Sequence, residues 1–352
     1  MPPLPRRGRG AAVNPPNRYE RFHLEPDPAA LDDDERRHVP TQLFRDTSRT
    51  ILARNGSPDI PFTWGLNPYR GCEHGCVYCY ARPSHEHLGF SAGLDFESRI
   101  VVKPDAPRLL AETFRKPSWE PAVVSMSGNT DAYQPVERRL TITRGCLEVF
   151  ARHRNPVAIV TKNALVLRDR DLLQELAAHD AVHVYVSLTS LRDDLAGAME
   201  PRASRPAARL KAVAGLAEAG VPVGVFLAPL VPGLTDEEVP ALLQAAADHG
   251  ARTAHYQLLR LPGPVEGLFE EWLRRTYPDR AEAVLNRLRA LRGGPLNDAR
   301  FGHRMRGSGP WAAVLDRLFK TNRARLGLDG SLPPLSTAHF RRLAGGQIGL
   351  FD

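Results

Sequence analysis

Three of the four cysteines in the chain fall within eight positions, Cys72-Glu73-His74-Gly75-Cys76-Val77-Tyr78-Cys79, spaced C-x3-C-x2-C. A thiolate is a soft metal ligand, and three on one short loop can face a common centre. Two kinds of centre fit such a set. Zinc needs a fourth protein ligand, for which His74 is the candidate, although zinc sites usually come as paired Cys/His dyads. A cubane iron–sulfur cluster has four irons, so three cysteines leave one iron open to a substrate or cofactor, which makes the loop a reactive site. The loop is entered through Asn67-Pro68-Tyr69-Arg70-Gly71, and a short strand over 61–66 is expected to lead into it.

A reactive loop needs a rigid frame, and the rest of the chain is patterned to build one. Phe96 to Lys103 reads as a strand. Beyond it, short apolar runs at 122–127, 157–161, 182–188, 221–228 and 253–259 alternate with helical stretches near 137–153, 168–179, 203–219 and 236–249. Strands alternating with helices predict a parallel sheet, apolar on both faces because helices cover it. The pattern alone fits either a barrel or an open doubly wound sheet. In a parallel barrel, chemistry sits at the C-terminal strand ends. The residues there are Ser127-Gly128-Asn129-Thr130-Asp131, Thr161-Lys162-Asn163, and Ser187-Leu188-Thr189 followed by Glu200-Pro201-Arg202 and Arg209.

At 352 residues, with 42% hydrophobic and 25% charged residues, the chain suits one large globular domain with extensions. No apolar run approaches the roughly 18 residues a membrane helix needs, so no membrane association is expected. Met1 to Asn17 is rich in Pro, Arg and Gly, lacks the apolar stretch of a signal peptide, and reads as a disordered tail. Clustered cysteines argue against a disulfide framework and for a reducing cytoplasm. The net charge of +7 is uneven: residues 261–352 hold 15 Arg or Lys against 9 Asp or Glu, which suits a phosphate backbone. Phe301-Gly302-His303-Arg304-Met305-Arg306-Gly307 reads as a basic loop that can sit against phosphates, and Trp311 to Arg325 as an amphipathic helix packed on the body.

With these flanks, the cysteine loop resembles the signature of the radical S-adenosylmethionine (radical SAM) superfamily, C-x3-C-x-Φ-C, where the aromatic Φ is Tyr78. The resemblance implies that Cys72, Cys76 and Cys79 bind a [4Fe–4S] cluster whose open iron is chelated by SAM. It implies reductive cleavage of SAM to a 5′-deoxyadenosyl radical, fed by an electron donor of flavodoxin or ferredoxin type. The implied fold is α/β, a partial (β/α)6 barrel over 61–260. An N-terminal extension over 1–60, partly disordered, and a basic, mostly helical C-terminal extension over 261–352 would flank it. Ser127, Gly128 and Asn129 occupy the place of the family's Gly-Gly-Glu stretch, which contacts the SAM amino group, although the residues differ. By position, Lys162 would pair with the SAM carboxylate, Ser187 with its polar edge and Glu200 with the ribose hydroxyls, with Tyr78 and Arg209 in the same set.

Further details resemble the spore-photoproduct-lyase-like branch: Asn67-Pro68-Tyr69, Tyr78-Cys79-Tyr80-Ala81, Phe96-Glu97, Thr161-Lys162-Asn163, and Glu200-Pro201 with Arg209-Leu210. Within it, the chain resembles an uncharacterised bacterial subgroup marked by Thr130-Asp131-x-Tyr133-Gln134-Pro135-x-Glu137. Spore photoproduct lyase reverses a thymine dimer in DNA, with a cysteine returning hydrogen to the product radical. Cys146, the one cysteine left here, is the candidate donor, although its place on the helix after the second strand does not match the lyase's donor. The chain closes on Gln347-Ile348-Gly349-Leu350-Phe351, which resembles the Q-(L/I)-x-L-F peptide that docks on the bacterial β sliding clamp; Gly345-Gly346 supplies a hinge ahead of it.

Three functions are consistent with this reading. The first is a radical SAM enzyme acting on DNA in the manner of photolesion repair. The second acts on tRNA, a peptide or a small molecule. The third is a DNA-associated iron–sulfur redox sensor without turnover, which SAM cleavage on reduction would distinguish from both enzymes.

Overall fold

A computed structural model describes residues 5–20 and 38–343. Ten strands are present among them: β1 (Gln42–Arg45), β2 (Leu52–Arg54), β3 (Trp64–Leu66), β4 (Tyr69–Arg70), β5 (Arg99–Val102), β6 (Val124–Met126), β7 (Val157–Thr161), β8 (Val182–Ser187), β9 (Val223–Leu230) and β10 (Thr253–Leu258). The longer helices are α1 (Ala106–Arg115), α2 (Ile142–His153), α3 (Arg170–Ala177), α4 (Pro206–Glu218), α5 (Val239–Asp248), α6 (Val265–Thr276), α7 (Pro278–Arg292) and α8 (Gly309–Arg325).

Six parallel strands form the main sheet in the order β3-β6-β7-β8-β9-β10, each followed along the chain by one of α1 to α6. β2 pairs antiparallel with β3 at one edge. The sheet does not close among the described residues, so it is a partial barrel of six β/α units. β-Branched residues fill its strands, as suits a pleated surface buried under helices. Val157, Ile159, Val184, Val186, Val223 and Val225 are fully buried. The alternate positions are partly exposed and make the other face, where the rings of Tyr185, Phe226 and His255 meet at 4.8–5.9 Å. Gly224 leaves room for this, since a Cβ there would lie 2.7 Å from the Tyr185 ring.

Three expectations are corrected. Phe96 to Ser98 belongs to a short helix, Leu94–Ser98, and β5 joins a separate three-stranded sheet, β1-β5-β4, instead of the barrel. The helix predicted over 137–153 breaks at Thr141, whose φ of 52° ends Glu137–Leu140 and starts α2. Residues 5–17, read as a disordered tail, are packed on the body: Ala11 and Ala12 are buried, and so is Arg9.

The C-terminal helices complete the body. Phe269 and Trp272 of α6 and Leu285 of α7 share a core with Cys76, Val77 and Tyr78 of the cysteine loop. Helix α8, where an amphipathic helix was expected, buries Leu315 and Phe319 in the main core. Residues 328–342 then pass under the N-terminal ends of the barrel strands. Leu328 O accepts from Ala254 N, Pro333 O meets His183 Nε2, and Arg341 N donates to His153 O. No helix among the described residues is long and apolar enough to cross a membrane.

Candidate active site

The cysteine loop leaves β4 through Gly71 and turns again at Gly75, both at positive φ (78° and 69°) that glycine adopts without strain. Cys72 N donates to Phe96 O at 2.9 Å, which ties the first cysteine to the short helix before β5. Cys72 and Cys76 are buried and Cys79 is half-buried. Burial raises the thiol pKa of Cys76, and that of Cys79 to about 11; their neighbouring thiols add to this, while the Arg82 charge opposes it at Cys79. No three His, Cys, Asp or Glu side chains among the described residues converge to hold a single metal ion. In a cluster each thiolate takes a different iron, so the three need not converge on one point.

His74 is already engaged. Its Nδ1 faces Asp131 Oδ2 at 3.3 Å and its Nε2 faces Asn163 Nδ2 at 3.1 Å, so no ring nitrogen is left for zinc. Burial disfavours the charged ring, but Asp131 and Cys72 outweigh it and lift the pKa to about 10. Asn163 Oδ1 already accepts from Leu165 N and Ser204 Oγ, so its amide N–H points at His74. Asp131 thus holds a proton on Nδ1.

One segment, residues 130–137, forms a socket for this loop. Thr130 Oγ1 donates to Gly71 O (2.6 Å), Gln134 Oε1 accepts from Glu73 N (2.9 Å), and Glu73 accepts from Val136 N (2.6 Å). Tyr69 OH donates to the buried Glu137. Asp131 also accepts from Thr161 Oγ1 and Lys162 N, both at 2.8 Å, which joins the socket to the end of β7. These roles were missed in the sequence, yet the motif Thr130-Asp131-x-Tyr133-Gln134-Pro135-x-Glu137 was its signal.

A strap closes the opposite side. Glu97 and Arg82 are fully buried and paired, and Arg82 donates to Cys76 O at 2.8 Å. The Glu97 carboxylate also accepts from Gly10 N and Ala11 N, each at 2.9 Å. Gly10 lies so close that a Cβ there would sit 1.9 Å from Gly75 O.

Of the cofactor-binding candidates, Tyr78, Lys162, Ser187, Glu200 and Arg209 come together. The Glu200 carboxylate accepts from Tyr78 OH and Thr189 Oγ1, pairs with Arg209, and lies 3.6 Å from Lys162. Burial would raise its pKa, but Arg209 and Lys162 bring it down to about 2. Arg209 also donates to Ser187 O at 3.0 Å, and Lys162 Nζ to Ala228 O at 2.9 Å. Expected to grip a ribose, Glu200 is here the hub of a buried ion network.

Ser127, Gly128 and Asn129 form a separate edge. Ser127 has a φ of 83° and accepts from Ala132 N, Asn129 N donates to Asn67 Oδ1, and Gly128 O accepts from Tyr80 OH at 2.8 Å. Cys146 does not join either group. It is wholly buried in the main core, and burial, with the Glu137 charge after it, holds its thiol pKa well above the usual range. Gln347, Ile348, Leu350 and Phe351 lie outside the described residues.

Tyr80 marks the barrel mouth. The Arg260 guanidinium stands 5.6 Å over its ring, and Arg260 Nε has no hydrogen-bond partner among the described residues. The basic loop at 301–307 packs beside it: Arg304 pairs with Asp59, Gly302 N donates to Asp59 Oδ1, and Met305 O accepts from Leu258 N.

A partial six-stranded parallel barrel with a three-thiol loop after its first strand defines a cofactor-dependent enzyme class. The sequence model of the radical SAM superfamily matches residues 66–246, and the chain belongs to that superfamily. Its members use a [4Fe–4S] cluster and SAM. An uncharacterised protein of Mycobacterium tuberculosis is 38% identical over 239 residues, covering 67% of this chain and 69% of its own. One from Methanocaldococcus jannaschii is 28% identical over 222 residues, 63% of this chain and 79% of its own. Among solved structures, a spore photoproduct lyase complexed with dinucleoside spore photoproduct is similar at a TM-score of 0.59 and 18% identity, over 81% of this chain and 79% of that one. At that identity the likeness speaks for the fold alone.

Proposed function

We propose that this radical SAM enzyme acts on DNA, in a reaction of the photolesion-repair type. The observation that carries this is the cationic mouth: Arg260, without a carboxylate partner among the described residues, stands over Tyr80 immediately after the third cysteine. A phosphodiester is the anion such a guanidinium can grip in two places. The basic loop beside it extends the same charge. The fold shared with a lyase that holds a dinucleoside photoproduct supports the same substrate class.

Cys72, Cys76 and Cys79 would hold the cluster, and when bound, cluster and SAM supply a 5′-deoxyadenosyl radical for hydrogen abstraction. The chain does the rest. The socket and strap fix the loop, and Glu200 with Arg209 hold the Tyr78 hydroxyl and the Lys162 ammonium at the mouth. Helices α6 and α7 seal Cys76 to Tyr78 from water. We place the enzyme in a reducing cytoplasm, the compartment that clustered cysteines suit. We assign the tail at 347–351 to docking on the β sliding clamp, which would bring the enzyme to DNA.

The test is anaerobic. The reconstituted protein is reduced with dithionite and given SAM, and 5′-deoxyadenosine is measured with and without UV-irradiated duplex DNA. Product that needs Cys79 and rises with damaged DNA supports the proposal, and Arg260→Ala should weaken the DNA response. Product indifferent to DNA moves the substrate elsewhere. No product from a loaded cluster overturns the enzyme reading. Full-length chain should also bind purified clamp, and Leu350→Ala with Phe351→Ala should abolish that binding.

A further inference from the structure

Outside the barrel, an open cleft of about 340 Å3 reaches the back of the cysteine loop. Pro135, Arg138, Asn163, Pro201, Arg202 and Ser204 line it, and no acidic side chain does. Two of these residues touch the loop itself. Arg202 N donates to His74 O at 3.1 Å, and Asn163 Nδ2 meets His74 Nε2 at the same distance. His74 stands two positions after Cys72 on the same loop. The cleft thus reaches both the backbone and the ring of a residue lying between the first two cluster cysteines.

Arg202 is paired with Glu73 at 2.9 Å, but two further charges at the rim are uncompensated. Arg138 and its neighbour Arg139 are exposed, and neither has a carboxylate within ion-pair distance among the described residues. Other approaches to the loop are covered. Residues 9–11 lie across Gly75, helices α6 and α7 pack on Cys76 to Tyr78, and the mouth belongs to SAM and substrate. A smaller cleft of about 170 Å3 beside Gly10 contains Arg275, which is already paired with Glu271.

We propose that the Arg138–Arg202 cleft is the docking surface for an acidic one-electron donor protein that reduces the cluster. This rests on the radical SAM reading of the site. One electron leaves the donor's reduced flavin or iron–sulfur centre and enters the oxidised cluster, and no bond is made or broken. Complementary charge steers such encounters and makes them sensitive to salt. Interfaces of this kind are small and short-lived, which suits a cleft with a two-arginine rim.

The test uses full-length protein, reconstituted and apo, with an acidic flavodoxin as probe. Cluster reduction by fully reduced flavodoxin is followed by absorbance, and binding of oxidised flavodoxin to the apo protein by titration. Charge reversal at the rim, Arg138→Glu with Arg139→Glu, should weaken binding and slow reduction by about tenfold at low ionic strength, with the difference vanishing at high salt. Arg138→Gln with Arg139→Gln should fall between and serves if the reversal impairs folding. Dithionite, which needs no docking, should reduce all forms alike. Unchanged flavodoxin rates and affinities would overturn the proposal while dithionite reduction still upheld the cluster. Loss of duplex DNA binding, with flavodoxin kinetics intact, would overturn it in favour of a nucleic-acid surface.

Discussion

Glu200 shows how much can turn on one side chain. Its carboxylate is fully buried and answers Arg209, Lys162, Tyr78 and Thr189 at once. Removing one partner of a buried pair leaves an uncompensated charge, so Glu200→Gln should destabilise the apo protein by about 3 kcal/mol in urea unfolding. His85 makes the opposite point, because it is buried without charge. It packs between Phe90 and Phe96 at 5.2 and 5.5 Å, neither ring nitrogen has a partner among the described residues, and burial pushes its pKa down to about 4. The unfolded chain, with a histidine pKa near ~6.5, binds this proton more readily than the fold does. Stability from His85 is therefore complete above that pH and falls away as pH drops toward 4, by up to about 3 kcal/mol. His85→Phe should flatten this part of the pH–stability profile, as read by melting temperature.

Among the elements, the socket and the strap do different work on one loop. Gln134 bridges Thr130 and Glu73 from within the socket, at 3.0 and 2.9 Å. Gln134→Leu keeps the bulk but strands a buried N–H, a loss of about 1–3 kcal/mol. Iron retained after reconstitution should fall with it. On the strap, Gly10→Val cannot be accommodated without moving the loop backbone, and should speed bleaching of the cluster by oxygen while leaving far-UV dichroism near wild type. The two elements were not equally legible in the sequence. Socket residues carry side chains that stand out, Asp131, Gln134 and Glu137 among them, and what could not be read was which backbone groups they would meet some sixty positions away. The strap acts through the N–H groups of Gly10 and Ala11, and main-chain donors leave no mark in composition. A stretch rich in Pro, Arg and Gly therefore read as a tail. Barrel strands were legible because paired burial demands continuous apolar runs; β5 was legible as a strand but not as a member of another sheet, since apolar alternation does not name its partner.

Taken whole, the molecule joins two outlying segments, 9–11 and 328–342, to the barrel at opposite faces. The N-terminal strap lies at the cysteine loop, while residues 328–342 cross beneath the strands, where Arg342 donates to Phe114 O and to Trp119 O. That crossing ties together the entries to β6, β7, β8 and β10. Truncation before Leu328 should raise hydrogen exchange at Ala254, whose N–H loses its acceptor, without exposing the amide of Cys72 at the other face. The order of synthesis gives this belt a further meaning. Every strand it crosses leaves the ribosome before it does, so strap and socket are free to assemble while the barrel is still open underneath. The cysteine loop can thus be in place, and able to receive its irons, before the last stitch is drawn across the floor.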